Sequence, residues 1–376
     1  MVDTSEKVVL FFNNSPKRNK NLQDWIKDVA PEAKRRRLID TCQTRFVERH
    51  DSFEVLCELY HVVERSLSDM AVDRSYNRET NHEANTLHFA ITNFQFVVTL
   101  VTVKNLMGYT KALSVNLQGR AQDVIHAYNS VNNVILTLND VRANVDGKFK
   151  DWFSQACKMA EKVGVQPSTP RTCGRQQHRQ NLPADTPEEY YRRTLMVPYT
   201  DELLSQLDTR FSSLKKVSSN GLYFIPDVIV GSPERLQERV IRFCNKYEGD
   251  IPSPLGLNVE LELWERKWRR AQQDELAIPS TARAALKACN RNDFPNIYVL
   301  LKILCTIGVT SCETERANSE LTYLKTYLRS TMGQERLSGL ALMHVHYDMP
   351  IDIEQIVTDF ARQHPRRLQL ENLLSY

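Results

Sequence analysis

One glutamate near the C-terminal end of the sequence could do chemistry, because carboxylate oxygens are ligands that divalent metal ions prefer. It is Glu315, within VTSCETERANSELTYLKTYLRSTMGQERLSGLALMHVHYD at residues 309–348. At roughly 100° per residue, Glu315 lies about 140° around a helix from the leucines that follow it. It shares that side with Ser319, Thr322 and Thr326. A catalytic and a solvated carboxylate both fit this polar side, so periodicity does not choose between them.

Cysteine and histidine residues do not suggest a metal centre. The eight Cys are scattered, and none forms a C-x-x-C pair. Cys173 and His178 are close in sequence, but they supply only two of the four ligands that a structural zinc site needs. We therefore predict that these residues form no metal site. We also predict that the cysteines are reduced thiols in a cytosolic or nuclear protein.

Two basic clusters are candidates for contact with phosphate groups. The first is Lys34–Arg37, which also has the composition of a nuclear-import signal. The second comprises Arg171, Arg175 and Arg179, in a Pro- and Gly-containing linker at 164–187. A solvated surface would show the same composition. The net charge of +3 is too balanced to indicate nucleic-acid binding by itself.

The composition favours a mainly α-helical protein. Only 12 of the 376 residues are Gly, which argues against many tight β turns. Hydrophobic residues make up 41% and charged residues 25%, as is usual for globular proteins. The length is sufficient for two or three domains with sizeable cores.

The N-terminal part of the sequence predicts one strand followed by helices. The apolar run VVLFF at 8–12 predicts a strand, and a long helix is expected over 45–68. A polar loop is expected over 69–87, and an apolar helix over 88–107 that stops at Gly108–Thr110. Because this apolar segment contains Asn, Gln and Lys, we interpret it as a buried core helix rather than a membrane span.

The clearest periodicity is a seam of apolar residues in alternating steps of four and three. It predicts either a dimeric coiled coil or an internal seam between antiparallel helices of one bundle, and we favour the internal seam. The residues are Leu117, Ala121, Val124, Tyr128, Val131, Ile135 and Leu138. Further helices are expected over 187–217, 232–248, 258–273 and 279–290.

The last helices combine strong apolar character with short connections. The segment at 294–308 is apolar almost all round, so we expect it to be buried on all sides and capped by Asn292 or Asp293. Capping-box spacing at Thr310/Glu313 and at Thr331/Gln334 predicts two further helices. We predict that the leucines of these helices support self-association: Leu300, Leu301, Leu304, Leu321, Leu324, Leu328, Leu337 and Leu340.

Residues 294–346 resemble the C-terminal dimerisation region of the hAT transposase superfamily. The resemblance is to the animal branch of this superfamily, which includes the MYM-type zinc-finger proteins. The pattern S-C-x-x-E-R-x-x-S at 311–319 and RSTMGQERL at 329–337 carry the resemblance. Upstream, CQTRFVERHDSFE at 42–54 is similar to the family's C-x-T-R-W segment, with Phe46 where Trp is usual. The resemblance extends over nearly all of the sequence from about residue 40 onward.

The resemblance implies a ribonuclease-H-like core in which two Asp and one Glu hold divalent metal for strand transfer. The Glu corresponds to Glu315, and Phe46 corresponds to an aromatic residue near flipped bases. In the family both Asp precede the T-R-W segment, whereas here Asp24, Asp28 and Asp40 lie in helical or polar sequence. A single Glu315 would not hold two Mg²⁺ ions.

We therefore expect a mainly α fold in which a truncated ribonuclease-H-like core lacks its catalytic centre. The expected parts are a core remnant at 1–50, an all-helical insertion domain at 51–291, the dimerisation region at 292–350 and a tail helix at 351–376.

The expected function is that of a catalytically inactive, nuclear, transposase-derived protein without a cofactor, which forms a homodimer or a heterodimer with related hAT proteins. The alternative is a DNA-binding or residual transposase-like protein in which Glu315 ligates Mg²⁺. Its nucleic-acid contacts would come from Phe46, Arg45, Arg171, Arg175 and Arg179.

Overall fold

The computed structural model describes residues 1–40, 46–117, 124–170, 184–232, 236–307, 318–319, 321–326 and 331–363. Side chains are described for the same residues except 46–48, 124–126, 213–220 and 236–239. The chain divides into two compact units, unit 1 (Met1–Val309) and unit 2 (Thr310–Tyr376). The described residues form helices and connecting turns, which confirms the prediction of a mainly α fold.

The helices follow one another closely along the chain. In the first part of unit 1 they are α1 (Val2–Asn13), α2 (Pro16–Val29), α3 (Phe46–Glu58), α4 (Tyr60–Val72), α5 (Arg78–Ile91), α6 (Phe94–Leu117), α7 (Val124–Ala143) and α8 (Val145–Glu161). Then come α9 (Pro187–Tyr191), a π-helical turn at Arg192–Met196, α10 (Val197–Gly221), α11 (Pro226–Gly231), α12 (Leu236–Lys246), α13 (Leu257–Gln273), α14 (Ala282–Ala288) and α15 (Pro295–Thr306). Unit 2 contains α16 (Gln334–Val345) and α17 (Ile353–Gln363).

The strand predicted at residues 8–12 is wrong, because this run lies in α1. Val8 and Phe12 are fully buried while Leu10 is 41% exposed, whereas in a strand the three side chains would share one face. A short apolar run fits a buried helix as well as a strand. The described part of residues 1–50 forms helices at Val2–Asn13, Pro16–Val29 and from Phe46, with turns and irregular backbone at 30–40 and no strand, so the ribonuclease-H-like remnant is not confirmed.

Three predictions for the segment from α3 to α6 are also wrong. The helix expected over 45–68 is broken at Leu59 into α3 and α4. The loop expected at 69–87 contains the end of α4 and most of α5, so only residues 73–77 lie outside a helix. The side chain of Asn77 caps α5 by accepting a hydrogen bond from the backbone N–H of Thr80 at 2.8 Å. α6 continues through Gly108 to Leu117, because tertiary burial of Met107, Thr110 and Leu113 outweighs the low helix propensity of glycine.

The apolar helix α6 lies in the core of unit 1. No single helix among the described residues is long and apolar enough to cross a membrane. The pair α5 and α6, which is bent by 71°, would be long and apolar enough only if the two helices are counted together. Val97, Val98, Leu100 and Leu106 of α6 are fully buried. The interpretation of this segment as a buried core helix is confirmed from Phe94 onward, whereas residues 88–91 belong to α5 and Phe89 is 68% exposed.

The apolar seam is internal to unit 1 where its side chains are described. Val131 and Leu138 of α7 are buried within the chain, and α7 packs along α10. Nε of Arg142 donates a hydrogen bond to Asp201 at 2.7 Å and joins the same two helices. The seam predicted for one bundle is therefore confirmed at these positions, while Ala121 and the side chain of Val124 lie outside the description.

A second core is formed by residues 224–225, by α11 to α15 and by the segments between these helices. It is rich in aromatic side chains, and Trp264 at its centre is fully buried. Its indole Nε1 donates a hydrogen bond to the carbonyl oxygen of Phe224 at 3.0 Å. The ring of Trp264 meets the rings of Trp268 and Phe294 edge to face, at centroid distances of 5.4 and 5.1 Å. This core holds α15 against α13 and α14.

Candidate dimerisation interface

α15 carries three of the leucines predicted for self-association. Leu300, Leu301 and Leu304 are all fully buried in the second core of unit 1. α10 comes so close to Leu304 that a Cβ on Gly221 would lie 2.9 Å from the leucine Cδ1. The three leucines therefore stabilise the fold of a single chain, and a part in dimerisation remains a prediction for them.

A glutamate from another helix caps the N-terminus of α15. Glu260 of α13 is buried, and its Oε2 accepts hydrogen bonds from the backbone N–H groups of Asn296 and Ile297 at 3.0 and 3.2 Å. Its Oε1 accepts a hydrogen bond from Nδ2 of Asn296 at 2.7 Å. The carboxylate thus satisfies two backbone donors that a helix start leaves without partners. Burial raises the pKa of Glu260, and these hydrogen bonds oppose that effect.

The cap predicted for α15 was wrong. The N-cap residue is Phe294, which provides no side-chain hydrogen bond, and not Asn292 or Asp293. Asn292 and Asp293 instead belong to a turn that Asn290 organises, because Nδ2 of Asn290 donates to Asp293 and its Oδ1 accepts from the N–H of Asn292. The residue that does cap α15 lies 36 positions upstream, where no local capping pattern could reveal it.

α15 is not buried on all sides, contrary to the prediction. Lys302, Cys305 and Thr306 are exposed, and their spacing places them on one side of the helix. Tyr298, Val299 and Ile303 are partly buried beside them. The helix is apolar because one side, with its three leucines, is buried and the neighbouring side chains are partly buried. It is not surrounded by other elements on every side.

Unit 2 presents apolar side chains at its surface. Of the residues of α16, none is buried: Leu337 and Leu340 are half-buried, whereas Leu342 and Met343 are 62% and 54% exposed. The capping box predicted at Thr331/Gln334 is wrong, since the N-cap is Gly333 and no side chain caps the helix. Leu321 is half-buried, Leu324 is buried and Leu328 lies outside the described residues.

These observations can be compared with known proteins. A family model described as the hAT family C-terminal dimerisation region matches residues 269–349. The chain carries the dimerisation region of the hAT family. This hAT region begins within α13 and includes α14, α15 and α16, so it contains both the buried leucines of α15 and the exposed Leu342 and Met343. The predicted resemblance is confirmed.

The similarity extends beyond the hAT region. The chain is 32% identical over 372 residues to the human protein named 52 kDa repressor of the inhibitor of the protein kinase, a match that covers 98% of the chain and 48% of the relative. The mouse protein of that name is 31% identical over 377 residues, covering 99% and 49%. The chain thus spans about half the length of these relatives. No solved structure matches it.

Most residues predicted for catalysis or nucleic-acid contact lie outside the described residues. These are Glu315, Arg45, Arg171, Arg175 and Arg179. Phe46 is the first residue of α3, but its side chain is not described. Their roles therefore remain predictions. Among described basic residues, Lys34–Arg37 are all exposed, between the buried side chains of Ala33 and Leu38.

A cluster of titratable side chains that the sequence analysis did not single out lies on α3 and α6. Asp51 Oδ1 accepts a hydrogen bond from Lys111 Nζ at 2.6 Å and lies 3.4 Å from His50 Nδ1, while Glu54 Oε2 lies 3.7 Å from Lys111 Nζ. Ligand atoms of His50, Asp51 and Glu54 lie within 4.8 Å of one another, a spacing that a metal ion could bridge.

The ammonium group of Lys111 already provides the positive charge in this cluster. Partial burial acts to raise the pKa of Asp51, but the hydrogen bonds and charges of Lys111 and His50 outweigh it and hold that pKa below its ordinary value. A divalent cation would have to displace Lys111, so we interpret the cluster as a structural link between α3 and α6. The spacing H-D-x-x-E on a helix is the signal that could have revealed it from the sequence.

Proposed function

We propose that this chain acts as a dimerisation module of a nuclear, transposase-derived protein and does not itself catalyse DNA strand transfer. The observation that carries the proposal is the exposed apolar surface of α16, because it lies inside the matched hAT region. An apolar surface that remains in water in one chain becomes favourable when a second chain covers it. The partner is a second copy or a related hAT protein.

The non-enzymatic and nuclear parts of the proposal have separate support. The name of the human and mouse relatives describes a repressor, which is not the name of an enzyme. The exposed Lys34–Arg37 run supports nuclear import or contact with a phosphate backbone. If the run contacts DNA, retention of a labelled duplex should fall steeply as salt is added.

The oligomeric state of the purified full chain tests the proposal. We expect light scattering coupled to size exclusion to give twice the 43.5 kDa chain mass at micromolar concentration. Leu342→Glu should weaken the dimer by at least about tenfold, because an interface would bury the new carboxylate without a partner.

Leu255→Glu is the matched control. Leu255 is 99% exposed, belongs to unit 1 and lies outside the hAT region, so the same change of side chain there should leave the dimer intact. A monomeric wild-type chain would refute the proposed function. Equal effects of the two substitutions would show that α16 is not at the interface. The heterodimer is tested by mixing the purified chain with the human relative, since light scattering coupled to size exclusion should then show a species with the summed mass of the two chains.

A further inference from the structure

α17 has an apolar face that the hAT region does not include. The matched region ends at residue 349, and α17 begins four residues later at Ile353. Ile353, Ile356 and Val357 are 59%, 55% and 47% exposed, and Phe360 is 51% exposed one turn further along. Their spacing of i, i+3, i+4 and i+7 places all four on one face of the helix.

The opposite side of α17 is polar. It carries Gln355, Thr358 and Arg362, all exposed. An isolated helix of this length is marginal in water, so a helix with one such apolar face normally depends on packing for its stability. No residue of α17 is buried within the chain. The face therefore has the properties of a surface that is covered by another molecule.

We propose that the apolar face of α17 pairs with the same face of α17 in a second copy of this chain and extends the dimer interface beyond the hAT region. The inference rests on the proposed function, since it assigns a further contact to that dimer. Continuity supports a second copy as the occupant, because α17 directly follows the segment that carries the dimerisation region. A single helix face that is apolar along its length is also self-complementary, as a two-fold interface requires.

The charges of α17 favour an antiparallel pair. Asp352 caps the helix by accepting a hydrogen bond from the N–H of Gln355 at 3.0 Å, and Glu354 follows in the first turn. Arg362 lies in the last turn, where Asp359 is 3.8 Å away. Antiparallel packing places the acidic start of each helix beside the basic end of the other and opposes the two helix dipoles.

Two double variants of the full chain test the role of the apolar face. Ile356→Glu/Val357→Glu adds two carboxylates to the apolar face, and Gln355→Glu/Thr358→Glu adds the same charge to the polar face. Sedimentation velocity should show a dimer at least about tenfold weaker for the first variant and unchanged for the second, because only the first buries unpaired charge. Since all four side chains are exposed, neither variant should unfold the rest of the chain, and circular dichroism should differ from the wild type by no more than the 11 residues of α17.

The outcomes separate this inference from the proposed function. A wild-type dimer that survives Ile356→Glu/Val357→Glu would overturn the inference and leave the proposed function standing. Equal weakening by both double variants would also overturn it, because added charge and not the apolar face would then be responsible. A monomeric wild-type chain would refute the proposed function itself.

Disulfide trapping tests the orientation. In an antiparallel pair centred on the apolar face, residue 353 of one copy lies opposite residue 360 of the other. Ile353→Cys mixed with mass-tagged Phe360→Cys should therefore give a mixed cross-linked dimer, and Ile353→Cys alone should not exceed the wild-type background from native thiols such as Cys305. Efficient cross-linking of Ile353→Cys with itself would overturn the antiparallel arrangement.

Discussion

At the scale of single residues, Glu260 lies just before the hAT region but positions a helix within it. Its carboxylate joins α13 to the start of α15 through three hydrogen bonds, and Asn296 also bonds to both backbone groups of Ser253. Asn296 is fully buried, so its polar atoms depend on these partners. Glu260 and Asn296 thus position the helix that carries Leu300, Leu301 and Leu304.

Removing the Glu260 carboxylate should destabilise unit 1. Glu260→Ala leaves two buried backbone N–H groups without their acceptor and removes one of the two acceptors of the Asn296 amide, so we expect the free energy of unfolding to fall by about 2–3 kcal/mol. Urea unfolding monitored by circular dichroism measures the change. Gln272→Ala, at an exposed position of the same helix, should change it by less than about 0.5 kcal/mol. A similar loss for both variants would contradict the proposed capping role.

At the scale of elements, two helices end in the same motif with different residues. α8 is followed by Gly164 with φ of 69°, and the N–H of Val165 donates to the carbonyl of Ala160. α13 is followed by Glu275 with φ of 53°, and the N–H of Leu276 donates to the carbonyl of Ala271. Glycine adopts this left-handed conformation without steric cost, whereas a residue with a Cβ is strained there.

Glycine at position 275 should therefore stabilise the C-terminus of α13. We expect Glu275→Gly to raise the free energy of unfolding by about 1 kcal/mol, because it relieves the left-handed strain. Glu275→Ala is the control, since alanine keeps the Cβ and should give no comparable gain. Thermal unfolding of both variants provides the measurement, and a gain with alanine equal to that with glycine would show that the side-chain charge, not the backbone, was responsible.

At the scale of the whole molecule, the two extended cores lie in unit 1 and the exposed apolar helices lie in unit 2. The described members of the clusters that contain Tyr60 and Trp264 all lie within residues 1–309. α16 and α17 contain no buried residue. Within the hAT region, α15 therefore contributes to the core of unit 1, whereas the apolar side chains of α16 are exposed and available to a partner.

A chain ending at Val309 should consequently fold and remain monomeric. It retains both cores, so its circular dichroism should be strongly helical and its thermal unfolding cooperative. It lacks the apolar surfaces of α16 and α17, so light scattering should give the mass of one copy at concentrations where the full chain is dimeric. A dimer of residues 1–309 would instead indicate that the surface around α15 carries the association.

The sequence by itself determined the mainly helical character, the hAT resemblance and the periodicity of the apolar seam, because apolar spacing and short motifs are local properties of the chain. The tertiary structure alone decided that VVLFF is helical, that Glu260 caps α15, and that Leu300, Leu301 and Leu304 are buried while Leu342 and Ile356 are exposed. A periodic pattern shows which side chains share a face of a helix. Whether that face is covered depends on which distant helix packs against it, and spacing along the chain does not carry that information.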